Sequence, residues 1–196
     1  MYHYFAIYKP YGMLSQFTKE GDHTTLADLK YPFASDVYPV GRLDADSEGL
    51  LLLTNDKRVN FQLLNPANSH PRTYLIQVEG EINDKALKEL EAGMTIKIDG
   101  KMYRTLPAKA VAISEPDFLP ERNPPVRFRK QIPTSWLSLS LIEGKNRQVR
   151  KMTAAVGFPT LRLIRQSIHR FSLEKMENGR VEEVAKLDFY NRLELR

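Results

Sequence analysis

Apolar and polar residues alternate with a period of two along several stretches of this chain, the pattern of strands with one buried face. Residues 2–8, 94–98, 103–113, 135–142 and 160–168 carry it most clearly, and residues 73–78 are β-branched and aromatic enough to join them. Residues 50–53 are consecutive leucines, which predicts a short strand buried on both sides. Helical spacing is rarer. Asn83 stands as an N-cap before residues 84–92, where Leu87 and Leu90 share a face and Gly93 stops the helix. Asn146 is expected to cap a second helix, with Val149, Met152 and Val156 at i, i+3 and i+7 and with Gly157 and Pro159 at its end. A third is predicted over residues 57–64, before Asn65-Pro66. Strands outnumber helices and come in runs, which predicts an α+β class with a mixed, mainly antiparallel sheet.

Residues 114–134 hold five of the twelve prolines and four basic residues, and read as a long surface loop between two strands. Loops of that length are uncommon and often functional. After Gly179 a short strand and a tail are expected. With 196 residues the chain fits one domain, 1–196, built of two small lobes. The longest apolar run is far below the roughly 20 residues that cross a bilayer. Met1-Tyr2-His3-Tyr4 lacks the basic and apolar regions of a signal peptide, so a cytoplasmic protein with no membrane partner is expected. The absence of Cys excludes disulfides, thiol nucleophiles and thiolate zinc sites. The four His never fall at the i, i+4 spacing of a helical zinc site, so metal chemistry would rest on carboxylates.

Charge changes the picture more than composition does. The net charge is +5, yet residues 144–173 alone contain seven Lys or Arg and no acid, which leaves the rest of the chain at −2. A basic stripe of that kind is the footprint of a phosphate-rich partner, although a charge run is more often a solvated face. Val149, Met152, Val156, Leu161, Leu163 and Ile164 are woven through it, so the segment is expected to be folded and its cations positioned.

Three constellations carry candidate chemistry. Gly41-Arg42-Leu43-Asp44-Ala45-Asp46-Ser47-Glu48-Gly49 leads into the apolar residues 50–53, which sets Asp44 at the lip of a buried sheet, where desolvation makes a carboxylate reactive. The bland alternative is an Asx turn in a solvated loop. A metal site on Asp44, Asp46 and Glu48 lacks the EF-hand spacing and its turn glycine. The second constellation, His70-Pro71-Arg72-Thr73-Tyr74, offers a ring that can stack on a base or simply pack in a sheet. The third, residues 143–152, places backbone N–H groups and four cations at a strand-to-helix junction, a phosphate cradle or a solvated helix start. With Val149 and Met152 inward, Arg147 and Arg150 share one helical side.

In this order and spacing the motifs resemble the pseudouridine synthases, in the RsuA/RluB/RluE/RluF branch that acts on ribosomal RNA. The residues carrying the resemblance are Tyr8-Lys9-Pro10-Tyr11-Gly12, Gly41-Arg42-Leu43-Asp44 through Thr54, Arg72-Thr73-Tyr74, Gly144 through Met152, and Gly157-Phe158-Pro159 with Leu161-Arg162-Leu163-Ile164-Arg165. The resemblance spans roughly residues 4–170 and implies a catalytic domain with two lobes flanking a basic cleft. Members of this branch usually carry an S4 RNA-binding domain first. This chain starts almost at the first catalytic strand, as RluE-type members do, which assigns the RNA grip to residues 144–173 and the 114–134 loop.

The resemblance implies cleavage of the C1′–N1 bond of a uridine in ribosomal RNA, most simply of the large subunit, followed by rejoining through C5 without cofactor or metal. It makes Asp44 the catalytic carboxylate, Arg150 the arginine that pairs with it and keeps it ionised, and Tyr74 the ring against the target base. The base must be flipped out of its stack to be reached. Arg42, Arg72, Lys145, Asn146, Arg147, Lys151, Arg162 and Arg165 are the expected RNA contacts, and Leu163 or Ile164 is expected to wall the uracil pocket. A monomer suffices. Two rival readings are an RNA-binding protein on a synthase-like scaffold and a metal-dependent nuclease built on Asp44, Asp46 and Glu48.

Overall fold

The computed structural model describes residues 1–65, 68–127, 129, 131–173 and 176–196. In chain order the strands and helices begin with β1 (Tyr4–Lys9), β2 (Tyr38–Pro39), β3 (Glu48–Thr54), α1 (Lys57–Leu64), β4 (Arg72–Glu79), α2 (Asp84–Glu91) and β5 (Thr95–Ile98). They continue with β6 (Lys101–Arg104), β7 (Lys109–Ile113), β8 (Thr134–Leu141), α3 (Gln148–Ala155), β9 (Thr160–Ile168), β10 (Phe171–Ser172), β11 (Val181–Glu183) and α4 (Lys186–Leu193). The class is α+β. Two compact units divide the chain: Met1–His70 with Arg165–Arg196, and Pro71–Ile164.

In the first unit β1 pairs antiparallel with both β3 and β11, and β2 pairs antiparallel with β3. Every residue of β1 and β3 is buried, which is why β3 reads as an unbroken leucine run rather than an alternation. One face of these strands packs Phe5, Ile7, Leu51 and Leu53 against Met13, Leu26 and Val37. Buried Asp56 caps α1 by accepting from the Arg58 N–H at 3.1 Å. Its carboxylate also accepts from the Tyr4 hydroxyl at 2.9 Å and the Tyr190 hydroxyl at 2.6 Å. The Arg58 guanidinium bound to Asp56 holds that carboxyl well below the usual carboxylate range.

In the second unit β8 lies between β4 and β7, antiparallel to each, with Tyr74 opposite Leu139 and Ala110 opposite the same Leu139. Tyr74, Ile76 and Val78 of β4 and Leu137, Leu139 and Leu141 of β8 face one core with Val149, Met152 and Leu163. Helix α2 packs on β7 and α3 on β5. The expected cap is seen at Asn83, whose side chain accepts from the Ala86 N–H at 2.9 Å.

Three expectations are corrected. The single strand over 103–113 is two strands, because Pro107 offers no ladder N–H and the chain breaks between Arg104 and Lys109. Helix α3 is capped not by Asn146 but by Arg147, in the left-handed region at φ 53° and with no side-chain cap. The stretch after Gly179 forms β11 and then a helix, α4, that seats Phe189 and Leu193 in the interior. The predicted 114–134 loop does run between β7 and β8, but it ends at Pro133 because Thr134 already opens β8; its described residues up to Pro133 hold no helix or strand, and positions 128 and 130 lie outside the described residues. Arg122 folds it inward by donating to the Pro124, Pro125 and Leu161 carbonyls. No helix among the described residues is long and apolar enough to cross a membrane.

Candidate active site

The turn that carries Asp44 is built by the chain that leaves β1. Lys9, the last residue of β1, is completely buried, and its ammonium donates to the Pro10 carbonyl at 2.9 Å and the Met13 carbonyl at 2.6 Å. Those two bonds curl residues 10–13 into a tight loop. From that loop the Gly12 N–H donates to the Ala45 carbonyl at 2.7 Å. Two residues on, buried Ser15 grips Leu43 twice: its hydroxyl donates to the Leu43 carbonyl at 2.8 Å and accepts from the Leu43 N–H at 3.0 Å. Asp44 is thus bracketed by two pinned neighbours, and its own carbonyl accepts from the Ser47 N–H at 3.0 Å.

Leu43 and Ser47 are buried, at 7% and 2% exposure, and Ala45 and Asp46 are half-buried, whereas Asp44 itself is exposed. Desolvation of Asp44 by the neighbouring strand is the expectation from sequence; the structure instead leaves Asp44 exposed on a fixed backbone. Lys9 and Glu48 are the ionisable side chains of this turn that are buried. Burial pushes the Lys9 ammonium down to about 7, against the pull of the Glu48, Asp46 and Asp44 carboxylates. Asp44, Asp46 and Glu48 do not form a metal-ligating cluster, and no group of three such side chains gathers among the described residues.

Where β3 begins, Gly49 sits at φ 109° and its Cα faces the main chain of Arg165. A Cβ there would stand 2.4 Å from the Arg165 carbonyl oxygen, so only glycine fits. Arg165 is itself 4% exposed, and its Nε donates to the Leu50 carbonyl at 2.7 Å. Arg42 is exposed and donates to the Gln16 side chain at 3.1 Å.

The second unit holds the other expected residues. Tyr74, 8% exposed, stands on β4 in the apolar core, as does Leu163 on β9 at 6%. Arg72 is half-buried at the start of β4. The basic turn before α3 is organised from beneath by Glu143, which is 5% exposed. Its carboxylate accepts from the Gln148 amide at 2.6 Å, the Leu106 N–H at 2.9 Å and the Tyr103 hydroxyl at 2.5 Å. Gln148 in turn accepts from the Lys145 N–H at 3.0 Å. That N–H, expected to be open to a phosphate, is spent inside the turn. Asn146 donates its amide to Asp99 at 3.0 Å, and Lys151 donates to the Asn146 carbonyl at 2.9 Å. Lys145 and Arg147 are both exposed on this frame, while Arg150 is half-buried and donates to the Thr160 carbonyl at 3.4 Å.

Arg162 differs from the expectation of a surface cation. It is 6% exposed and donates to the Pro120 carbonyl at 2.9 Å. Like Arg165, it is buried and donates to a backbone carbonyl, which meets the hydrogen-bonding need of a buried guanidinium. Lys9, Glu143 and Gln148 fall within the sequence motifs, but reasoning from sequence gives them no part in building the site and misses Ser15; the signals are a lysine ending an otherwise apolar strand and an acid heading the basic stretch.

A family model of RNA pseudouridylate synthases matches residues 3–155, more than half of the chain and inclusive of Asp44, Tyr74 and Arg150. The chain belongs to that family. The synthase is 49% identical over 176 residues to a protein of Vibrio parahaemolyticus named ribosomal large subunit pseudouridine synthase E, covering 90% of this chain and 71% of that one. A protein of the same name from Xanthomonas axonopodis pv. citri is 46% identical, with 86% of each chain covered. A large subunit pseudouridine synthase B of Bacillus subtilis is 33% identical, over 92% of this chain and 67% of the other. Among solved structures, a pseudouridylate synthase superposes with a TM-score of 0.77 at 25% identity, covering 98% of this synthase and 74% of its counterpart. The expected class, an RNA pseudouridine synthase on a mixed α+β fold, stands.

Proposed function

We propose that this chain isomerises a uridine of large-subunit ribosomal RNA to pseudouridine, with Asp44 as the catalytic carboxylate. The observation that carries the reading is the frame around Asp44. The main chain on either side is pinned by Ser15 and Gly12, so the backbone that carries exposed Asp44 is set before any substrate arrives. Preorganised geometry of this kind is what lets a single carboxylate act at a sugar carbon. The relatives named for large-subunit RNA support the substrate class.

The reaction is an isomerisation. The C1′–N1 bond of uridine breaks, the uracil turns, and a C1′–C5 bond forms; C5 gives up its proton and N1 ends protonated, so nothing is consumed. Asp44 acts at C1′, and the proposed contributions of the second unit are the Tyr74 ring against uracil and the Arg150 cation. The uridine must leave its stack, at a cost of a few kcal/mol that is least in a loop or bulge. Lys145 and Arg147 hold the flanking backbone, so affinity falls steeply with salt.

The test uses ribosomal RNA from cells lacking this protein, treated with the purified chain and mapped by carbodiimide labelling and primer extension. One new stop in large-subunit RNA, lost in Asp44→Asn while RNA affinity is kept, is the expected result. Conversion by Asp44→Asn at the wild-type rate overturns the assignment of Asp44. Stops confined to small-subunit or transfer RNA overturn the substrate class.

A further inference from the structure

Strands β5 and β6 form a two-stranded sheet of their own. Asp99 and Gly100 join them, both at positive φ (47° and 83°), the geometry that suits a two-residue hairpin. The pairings Thr95 with Arg104 and Lys97 with Met102 place those four residues on one face. Ile96, Ile98, Lys101 and Tyr103 share the other. That second face is fastened to the turn that carries Lys145 and Arg147. Tyr103 donates to Glu143 at 2.5 Å, and the Lys145 ammonium lies 5.0 Å from the centre of the Tyr103 ring. At the hairpin tip Asp99 accepts from the Asn146 amide at 3.0 Å, which engages the only acid of the hairpin.

The first face is left open. Lys97 and Arg104 are exposed on it, and Met102 between them is 70% exposed. Lys101, near the tip, is exposed as well. Three cations thus stand on a rigid strand pair locked at three points to a basic turn, so the two sets of charges are held at fixed spacing. A polyanion that meets both gains contacts without the ordering cost of flexible lysines on separate loops. An apolar thioether among cations suits a sugar or base face better than it suits water.

We propose that the β5–β6 hairpin is a second RNA-contacting element: Lys97, Lys101 and Arg104 take backbone phosphates of the same ribosomal RNA, and Met102 lies against it. The proposal rests on the reading that Lys145 and Arg147 grip the RNA backbone. Arg104 also donates to the Ala92 carbonyl at 3.3 Å, so the test uses the two lysines.

The double variant Lys97→Gln, Lys101→Gln is compared with Lys85→Gln, Lys88→Gln, which removes the same charge from exposed positions of α2. Binding of the large-subunit ribosomal RNA is titrated across salt concentrations. Loss of two phosphate contacts lowers the slope of log affinity against log salt by about 1.4 for single strands and about 1.8 for a duplex. At 0.1 M salt that is a weakening on the order of 25- to 60-fold. The α2 variant keeps the wild-type slope. Equal slopes and affinities for the two double variants overturn the proposal. A third variant, Lys145→Gln with Arg147→Gln, tests the underlying reading separately: unchanged affinity there removes the grip assigned to the turn, whatever the hairpin shows.

Discussion

Lys9→Met isolates the buried ammonium that curls the loop in front of Asp44. Burial brings the Lys9 pKa down to about 7, against an unfolded value of about 10.4. Between those values the unfolded chain binds a proton that the folded chain does not, so stability rises with pH through the window. Integrating from about pH 7.5 to about pH 9 gives a gain of about 2 kcal/mol from this one residue. For a chain of this size that corresponds to a rise in melting temperature of about 4–8 °C. Other shifted groups act elsewhere. Tyr4, Tyr38, Tyr103 and Tyr190 are all raised, so they bear on stability above the ordinary tyrosine range, and lowered Asp28 and Asp56 bear on it in acid. Urea titrations of wild type and Lys9→Met at several pH values measure the slope directly. The wild type should gain stability toward pH 9 while Lys9→Met stays flat. Parallel curves would refute the reasoning, because they would mean that Glu48, Asp46 and Asp44 keep the ammonium charged despite its burial.

Gly49→Ala meets both a left-handed backbone and the Arg165 main chain at 2.4 Å, whereas Gly100→Ala, at φ 83°, meets nothing within 4 Å. The first should cost about 2–5 kcal/mol and the second about 1–2 kcal/mol in denaturant melts, and equal losses would contradict the close approach. Ser15→Ala leaves the Leu43 N–H and carbonyl without their partner in a buried place. A loss of about 1–3 kcal/mol in urea titration is expected, together with a fall in turnover as the Asp44 turn loosens; an unchanged urea midpoint would show that the clamp is idle.

The parts of the fold that were legible in the sequence are those governed by one local rule. Strand β9 and helix α1 have the bounds the pattern predicts, each closed by a local stop signal: the turn at His169-Arg170 after β9 and Asn65-Pro66 after α1. Residues 103–113 keep the strand alternation through Thr105 and Leu106, so the pattern hides a break that proline enforces. Helix α4 shows only Phe189 and Leu193 as buried positions, too sparse for a period. Its place is set by Phe189 against Tyr4, ring centres 5.0 Å apart, and by Tyr190 on Asp56, contacts with the far end of the chain. The Asp44 block was visible as a Gly-bounded polar loop before leucines. What holds it was not: Lys9 and Ser15 act through bonds to main-chain atoms, and a main-chain atom leaves no mark in a residue pattern.

The basic stretch at 144–173 shows why a charge count is not an interface. Of its seven cations, Arg162 and Arg165 are buried on carbonyls, and Arg170 pairs with Glu194 at 3.0 Å. Lys151 is turned back to Asn146. A charge engaged in this way still contributes to the potential around the protein, but it releases no counterion unless it meets a phosphate. Lys145 and Arg147, both exposed, lie on the turn that is stiffened from below by Glu143 and Gln148. The same Glu143 anchors the hairpin that bears Lys97 and Lys101. A single buried carboxylate thus sets the spacing of both charge groups. If those charges take RNA phosphates as proposed, the residue that spaces them lies one layer beneath the surface and carries a negative charge of its own.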